Sequence, residues 1–233
     1  GIGKSTLLSG FLDRTTDLQV SGVRVQRYDT VRPFQALRLL LHRAIPRLLD
    51  ADADAVIREG LGDDAALAPL FGPLLGRDLG RTPAADAIDA ANRLARTGQL
   101  LVDLLGRLIA QPAVLVVEDL HWADEASRGL LGAIACGIGE TRVLLLATTR
   151  PVGEPLPAGE RILLAGLDLD AARALARTVD ADLPDRILHE VLDRAGGNPL
   201  FVRELLRSVA EDGGELPDSI EAVVTARLDN LAP

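Results

Sequence analysis

The chain has 233 residues, 48% of them apolar, enough to bury a substantial core as one large domain or as a domain with a small appendage. Its 25 Lys and Arg against 34 Asp and Glu leave a formal charge of -9, which argues against a broad electrostatic footprint on DNA or a membrane surface. A single cysteine, Cys136, excludes an intramolecular disulfide and a cysteine-rich zinc site; sitting among Ala133 to Gly137, it is expected to be a buried small residue.

The first residues, "GIGKST", carry the second half of the phosphate-binding pattern G-x-x-x-x-G-K-[ST]: Gly1, Gly3, Lys4 and Ser5. Half a motif at the start of a chain without any methionine predicts a piece of a longer polypeptide, with a strand and the leading glycine upstream. Leu7, Leu8, Phe11 and Leu12 follow at helical spacing, so a helix is expected to start at the lysine. Residues 23–29 alternate as a strand, and Pro33 opens a helical stretch through Leu49. Residues 51–83 read as short helices and loops, and 84–110 as one long amphipathic helix ended by Gln111 and Pro112.

Two apolar runs, "VLVVED" (114–119) and "VLLLATTR" (143–150), have the composition of strands buried on both faces of a parallel sheet, and "RILLAG" (161–166) is a third of the same kind. Between the first two lies a helix for which Asp124 is the expected N-cap. From Asp168 onward the pattern is helical, near 168–179, 183–194, 199–212 and 218–230, punctuated by Pro184, Gly196-Gly197 and Gly213-Gly214. No signal peptide and no apolar run of bilayer length interrupts this order, and the cytoplasm is the expected compartment, without a membrane partner.

A phosphate-binding reading gives each early residue a task. Backbone N–H groups from Gly1, Ile2, Gly3, Lys4, Ser5 and Thr6 would wrap phosphates at a helix N-terminus, where the dipole favours anions. Lys4 would reach the β- and γ-phosphates and the Ser5 hydroxyl would ligate magnesium. The plainer alternative is a glycine turn capping an exposed helix. Phosphoryl chemistry also needs carboxylates at the end of a neighbouring buried strand, one for the magnesium shell and one to orient water, and "VVED" supplies Glu118 and Asp119. Adjacent strand residues point to opposite faces, so Glu118 is assigned to the metal and Asp119 to the water, with the reverse assignment open.

In this order and spacing, "GIGKST", "VLVVEDLHWAD", "LLLATTR", "GGNPLFVRELL" and "LPDSIEAVVTARLDNL" resemble the nucleotide-binding module of the STAND class of P-loop ATPases. The resemblance is strongest to modules of large bacterial regulators that carry a LuxR-type DNA-binding domain or a nucleotide cyclase domain. It covers nearly the whole chain, most weakly over 30–83. It implies an α/β P-loop NTPase fold of three layers with a mostly parallel sheet over 1–166, its first strand missing. A helical lid over 167–217 and the start of a winged-helix unit over 218–233 would follow. It implies ATP or ADP with Mg2+ as ligands, Glu118 and Asp119 as the two Walker B acids, and Arg150, after Thr149, as a sensor of the γ-phosphate. Pro199 would pack near the base, and His121, Trp122 and Asp124 match the "HWAD" that follows Walker B. Glu118 stands where many relatives have Asp, a longer side chain that bears on the metal geometry.

The function so implied is a slowly hydrolysing ATP switch whose state passes to further domains of the same polypeptide, such as a winged helix, helical repeats, and a LuxR-type helix-turn-helix or cyclase domain. Nucleotide-dependent self-association is a further expectation, and direct nucleic-acid contact by this segment is not expected. Two other readings share "GKST": a small-molecule P-loop kinase and a DNA-associated AAA+ ATPase, for which Arg203 or Arg207 would have to serve as the lid arginine. Against them stand the "ED" pair with "HWAD" and the "GGNPLF" in the lid zone. Trp122 and His121 read as packing residues, and His42 and His189 lie far from any second ligand, so no metal beyond nucleotide-bound magnesium is expected.

Overall fold

A computed structural model describes residues 2–27, 33–50, 52–151, 155–178 and 184–211. Gly1, Tyr28, Asp29 and the expected winged-helix start over 218–233 lie outside them. The chain divides into two compact units, Gly10–Glu160 and a second made of Gly1–Ser9 with Arg161–Pro233.

The larger unit is built on a three-stranded parallel sheet of β1 (Gln19–Arg24), β2 (Ala113–Glu118) and β3 (Val143–Ala147), in that order. Its register pairs Gln19 with Ala113, Arg24 with Glu118, and Ala113 with Val143. Parallel neighbours need long crossovers, and helices supply them: α2 (Gln35–Ala44), α3 (Ala53–Leu61) and α6 (Ala90–Leu108) before β2, and α7 (Glu125–Gly137) before β3, with the single turns α4 (Gly72–Leu75) and α5 (Pro83–Asp86) between α3 and α6. β2 is the middle strand, and Ala113 through Val117 are all buried, as a continuous apolar run requires. Leu115 and Val117, with Val23 on β1, join Leu37, Leu40 and Leu41 of α2 and the Leu100, Leu101, Leu104 and Leu105 stripe of α6 in one core. α6 lies so close to α7 that a Cβ on Gly98 would come within 2.5 Å of Ala133.

Several boundaries differ from the sequence reading, each for a local reason. β1 begins four residues before the expected 23, because its pairing starts where β2 starts. The helix expected from Pro33 through Leu49 breaks at Ile45: Pro46 cannot donate and keeps the preceding residue out of the helical region (φ -133°, ψ 80°), so Pro46–Leu49 forms a separate 3-10 turn. The long helix expected over 84–110 is two, α5 and α6, separated at 87–89. Thr82 caps the first by accepting from the Ala85 N–H, and Asp89 sits at the N-cap position of the second.

The third expected strand is absent: residues 161–168 form no regular element, and Ile162 and Leu163 are 77% and 87% exposed. An apolar run becomes a strand only when a neighbour takes its N–H and C=O groups, and among the described residues no such ladder forms. Cys136 is exposed, not buried. α7 buries Leu130, Leu131 and Ile134, and a residue two beyond Ile134 falls on the opposite side at 100° per residue.

In the smaller unit, α8 (Leu169–Ala176), α9 (Asp185–Ala195) and α10 (Pro199–Glu211) pack around Val191, Val202, Leu205, Leu206 and Val209. Asp168 caps α8 through a bond from the Ala171 N–H at 2.8 Å. The opening helix α1 (Lys4–Leu12) follows Gly3 directly.

Candidate nucleotide site

The ends of two parallel strands meet at one edge of the sheet, and there the chain places its acids. β2 runs out at Glu118, which is half-buried, and the next residue, Asp119, adopts a left-handed backbone (φ 57°, ψ 43°). Non-glycine residues tolerate this region poorly, Asp being among the more tolerant, and such a conformation is held only by surrounding bonds. The bonds are present: the Asp119 N–H donates to Thr148 Oγ1 at 3.1 Å, the Leu120 N–H to the Thr148 carbonyl at 2.8 Å, and the Thr148 N–H to the Val117 carbonyl at 2.9 Å. Thr148, one residue beyond β3, therefore staples the two strand ends. The expected strand alternation between Glu118 and Asp119 does not operate, because Asp119 has already left the strand.

Glu118 shares a sheet face with Val114 and Val116, opposite the face that joins the main core. Directly across the ladder stands Arg24, the last residue of β1, whose guanidinium donates to Glu118 Oε2 at 2.7 Å. That hydrogen bond, and then the charge of the carboxylate, raise the Arg24 pKa above its usual value. By contrast, no described residue bonds the Asp119 carboxylate.

After the turn Leu120–Trp122, Asp124 becomes the N-cap of α7. Its carboxylate accepts three bonds: from Ser127 N–H at 2.9 Å, Ser127 Oγ at 2.6 Å and Phe34 N–H at 3.1 Å. Among the described residues Phe34 is the other left-handed non-glycine residue (φ 62°), and it precedes α2, so Asp124 holds two helix starts together. Trp122 packs against the core, with His121 tilted against it at 4.9 Å and the Arg27 guanidinium 5.7 Å above its ring. Thr149 and Arg150 follow Thr148 at the same end of the sheet. Arg150 is exposed, and no described carboxylate pairs with it.

In the other unit, Gly3 has φ +100°, a conformation that side chains rarely adopt, and an added Cβ would meet nothing within 4 Å. Its carbonyl accepts from the Leu7 N–H at 2.9 Å, so α1 begins without a break, with Lys4 first and no acid in the opening turn. An open left-handed glycine followed by an acid-free helix start fits a phosphate group. At the end of β2, the Glu118 and Asp119 carboxylates are hard oxygen donors of the kind magnesium prefers. In "GGNPLF", Gly196 ends α9 in the left-handed region, the Gly197 carbonyl accepts from the Leu167 N–H at 2.7 Å, and Pro199 opens α10 with Asn198 Oδ1 accepting from the Leu200 N–H.

A family profile described as the AAA ATPase domain matches residues 1–146, well over half of the chain. The chain belongs to the AAA ATPase domain family. Membership brings nucleotide binding with it. An uncharacterised protein of Rhizobium meliloti (strain 1021) is 35% identical to this AAA ATPase domain over 159 residues, which is 64% of the chain and 15% of that protein. Among solved structures, a signal transduction ATPase with numerous domains (STAND) from Pyrococcus horikoshii, with a tetratricopeptide repeat sensor, aligns with 100% of the chain and 29% of its own length at 13% identity and a TM-score of 0.50. A Walker-type ATPase of Pyrococcus abyssi aligns at 12% identity, 98% and 64% coverage and a TM-score of 0.45. The feature shared with the Pyrococcus horikoshii protein is the α/β P-loop ATPase fold, and the domain spans a small fraction of that protein and of the Rhizobium protein. No helix of the described residues is long and apolar enough to cross a membrane.

The sequence reading named Glu118, which ends β2, Asp119, which follows it, and Arg150, two residues past the Thr148 that bonds the Asp119 N–H. It passed over Thr148 and Arg24. Thr148 stood inside the quoted "ATTR"; Arg24 had no local signal, since only the β1–β2 register sets it opposite Glu118.

Proposed function

We propose that this AAA ATPase domain is an ATP-binding, slowly hydrolysing regulatory switch within a larger bacterial signalling or transcription regulator. The observation that carries the reading is the pair of carboxylates at the end of buried β2, Asp119 held left-handed by Thr148, in a chain whose first helix starts on Gly3-Lys4-Ser5. Backbone N–H groups of Gly1 to Thr6 hold the phosphates, Lys4 reaches the β- and γ-phosphates, and Ser5 and Glu118 hold magnesium, in part through water. Held by Ser5 and Glu118, magnesium would supply neutralisation of charge on the phosphate oxygens.

Asp119 accepts a hydrogen bond from the attacking water, and Arg150 meets the γ-phosphate. Pro199 packs near the base at the start of α10. Because a switch needs contacts that differ between its two ligands, Lys4, Asp119 and Arg150, which face the γ-phosphate, are the residues that separate ATP from ADP. The lid, residues 167–217, and a winged helix from 218 pass that difference on, in the cytoplasm, to a LuxR-type or cyclase domain of the same polypeptide. The small share of the Rhizobium and Pyrococcus horikoshii proteins that the domain occupies supports the modular reading.

The test titrates the protein, carried in its full reading frame, with ATP and ADP in magnesium while phosphate release is followed. Binding lost in Lys4→Ala and release lost with binding kept in Asp119→Asn are expected. A parent protein that binds neither nucleotide would end the reading.

A further inference from the structure

The Arg24–Glu118 pair is not needed to hold the sheet together: β1 and β2 are already joined by their backbone ladder, and the Val25 N–H still donates to the Glu118 carbonyl at 2.9 Å beyond it. Nor does exposure favour it as a stabilising contact. The Arg24 side chain is 57% exposed, and exposed pairs contribute little to folding. What the pair does is electrostatic and local. It places a permanent positive charge 2.7 Å from an oxygen of one acid of the "ED" pair and leaves the next acid, Asp119, without a bonding partner among the described residues. Guanidinium and divalent cation bind the same lone pairs of a carboxylate, so the two compete.

We propose that Arg24 is a positioning residue that sets the magnesium requirement of nucleotide binding, by occupying the Glu118 carboxylate as an internal counter-ion that the metal must displace. This rests on the nucleotide reading above. The parallel register sets up the competition: Arg24 and Glu118 are ladder partners on one sheet face, so the strand keeps the guanidinium within reach of the carboxylate while its exposed, flexible side chain can still swing aside when a metal takes those oxygens. The consequence is a domain that holds nucleotide weakly at low free magnesium and tightly above a threshold, the threshold being set by a residue outside every quoted motif.

The experiment measures binding of a fluorescent ATP analogue to the full-length protein as free magnesium is raised from zero, with no turnover required. In Arg24→Gln the magnesium concentration for half-maximal binding falls about two- to fivefold, the range an exposed ion pair can withhold, while binding in EDTA is unchanged. Arg24→Lys keeps the charge and stays near the parent midpoint. In the Glu118→Gln background, Arg24→Gln causes no further shift. Arg81→Gln removes an equal charge from the exposed Arg81–Asp86 pair and leaves the midpoint in place, which separates the local effect from net charge.

The proposal is overturned if Arg24→Gln leaves the midpoint unmoved, raises it, or shifts it equally in the Glu118→Gln background. A parent protein that binds the analogue at no magnesium concentration removes the nucleotide reading and this proposal with it. An unmoved midpoint in a parent that does bind removes the proposal alone. A thermal melt of each variant confirms folding, and if Arg24→Gln does not fold, the Arg24→Lys and Glu118→Gln midpoints decide: a Lys variant shifted as far as Glu118→Gln refutes the charge argument.

Discussion

Replacing Asp124 with alanine separates a structural from a ligand-touching role for the "HWAD" acid. The side chain is 9% exposed and accepts three bonds, two from Ser127 and one from the Phe34 N–H. Losing the N-cap bond to the Ser127 N–H costs about 1 kcal/mol. The Ser127 hydroxyl, fully buried, and the Phe34 N–H then lose their acceptor, each worth about 1–3 kcal/mol if nothing replaces it. Water reaching the half-buried Phe34 end and rotation of the hydroxyl recover part of this, so about 2–4 kcal/mol is expected. For a chain of this size that lowers Tm by about 5–12 °C. Asp124→Asn keeps a carbonyl acceptor for one N–H and should lose about half as much. Urea unfolding followed by circular dichroism gives the free energies, and nucleotide titration at low temperature gives the affinity. Asp124→Ala within about 1 kcal/mol of the parent would refute the staple, and unaltered stability with lost nucleotide binding would show that Asp124 touches the ligand.

Thr148→Val removes the hydroxyl that accepts from the Asp119 N–H and should cost about 0.5–1.5 kcal/mol, with phosphate release falling more than nucleotide binding; Thr148→Ser restores both. Burial, then the charges of Arg38 and Arg77, hold the His42 pKa below its usual value. The unfolded chain therefore takes up the proton first as pH falls, so this contribution to stability is present above about pH 6.5 and is lost as pH drops below it. Unfolding midpoints between pH 7.5 and 5 should fall less steeply in His42→Gln. Cys136, exposed on α7, should react stoichiometrically with a disulfide reagent in the folded protein, and reaction only after addition of urea would contradict its placement.

Local signals in this sequence translate into structure wherever their satisfaction is also local. Asp124 caps α7 because its partner is three residues away, and β2 and β3 form where unbroken apolar runs announce strands; burial on both faces holds for β2 alone, since β3 buries Val143 but leaves Leu144 45% exposed. Pro46 ends α2 by its own geometry, a local signal that overrides the apolar periodicity around it. Residues 161–166 mark the limit of that rule. Their composition matches that of β3, yet they lie outside any strand, because strand formation depends on a neighbouring edge and not on composition.

The site obeys the same division. Glu118, Asp119 and Arg150 could be named because strand ends carry them, whereas the bonds that decide how the acids behave come from elsewhere in the sequence. Thr148 reaches Asp119 across 29 positions and Arg24 reaches Glu118 across 94. A one-residue slip between β1 and β2 would move Arg24 off this face and out of reach of Glu118, since side chains alternate with period two. The register is held in turn by Val23 and Val117 facing the α2 core together. The charge environment of the candidate metal ligand is thus a consequence of hydrophobic packing on the opposite face of the sheet. A core substitution such as Val23→Thr should therefore disturb magnesium dependence through the Arg24 pairing, without touching a single polar residue of the site.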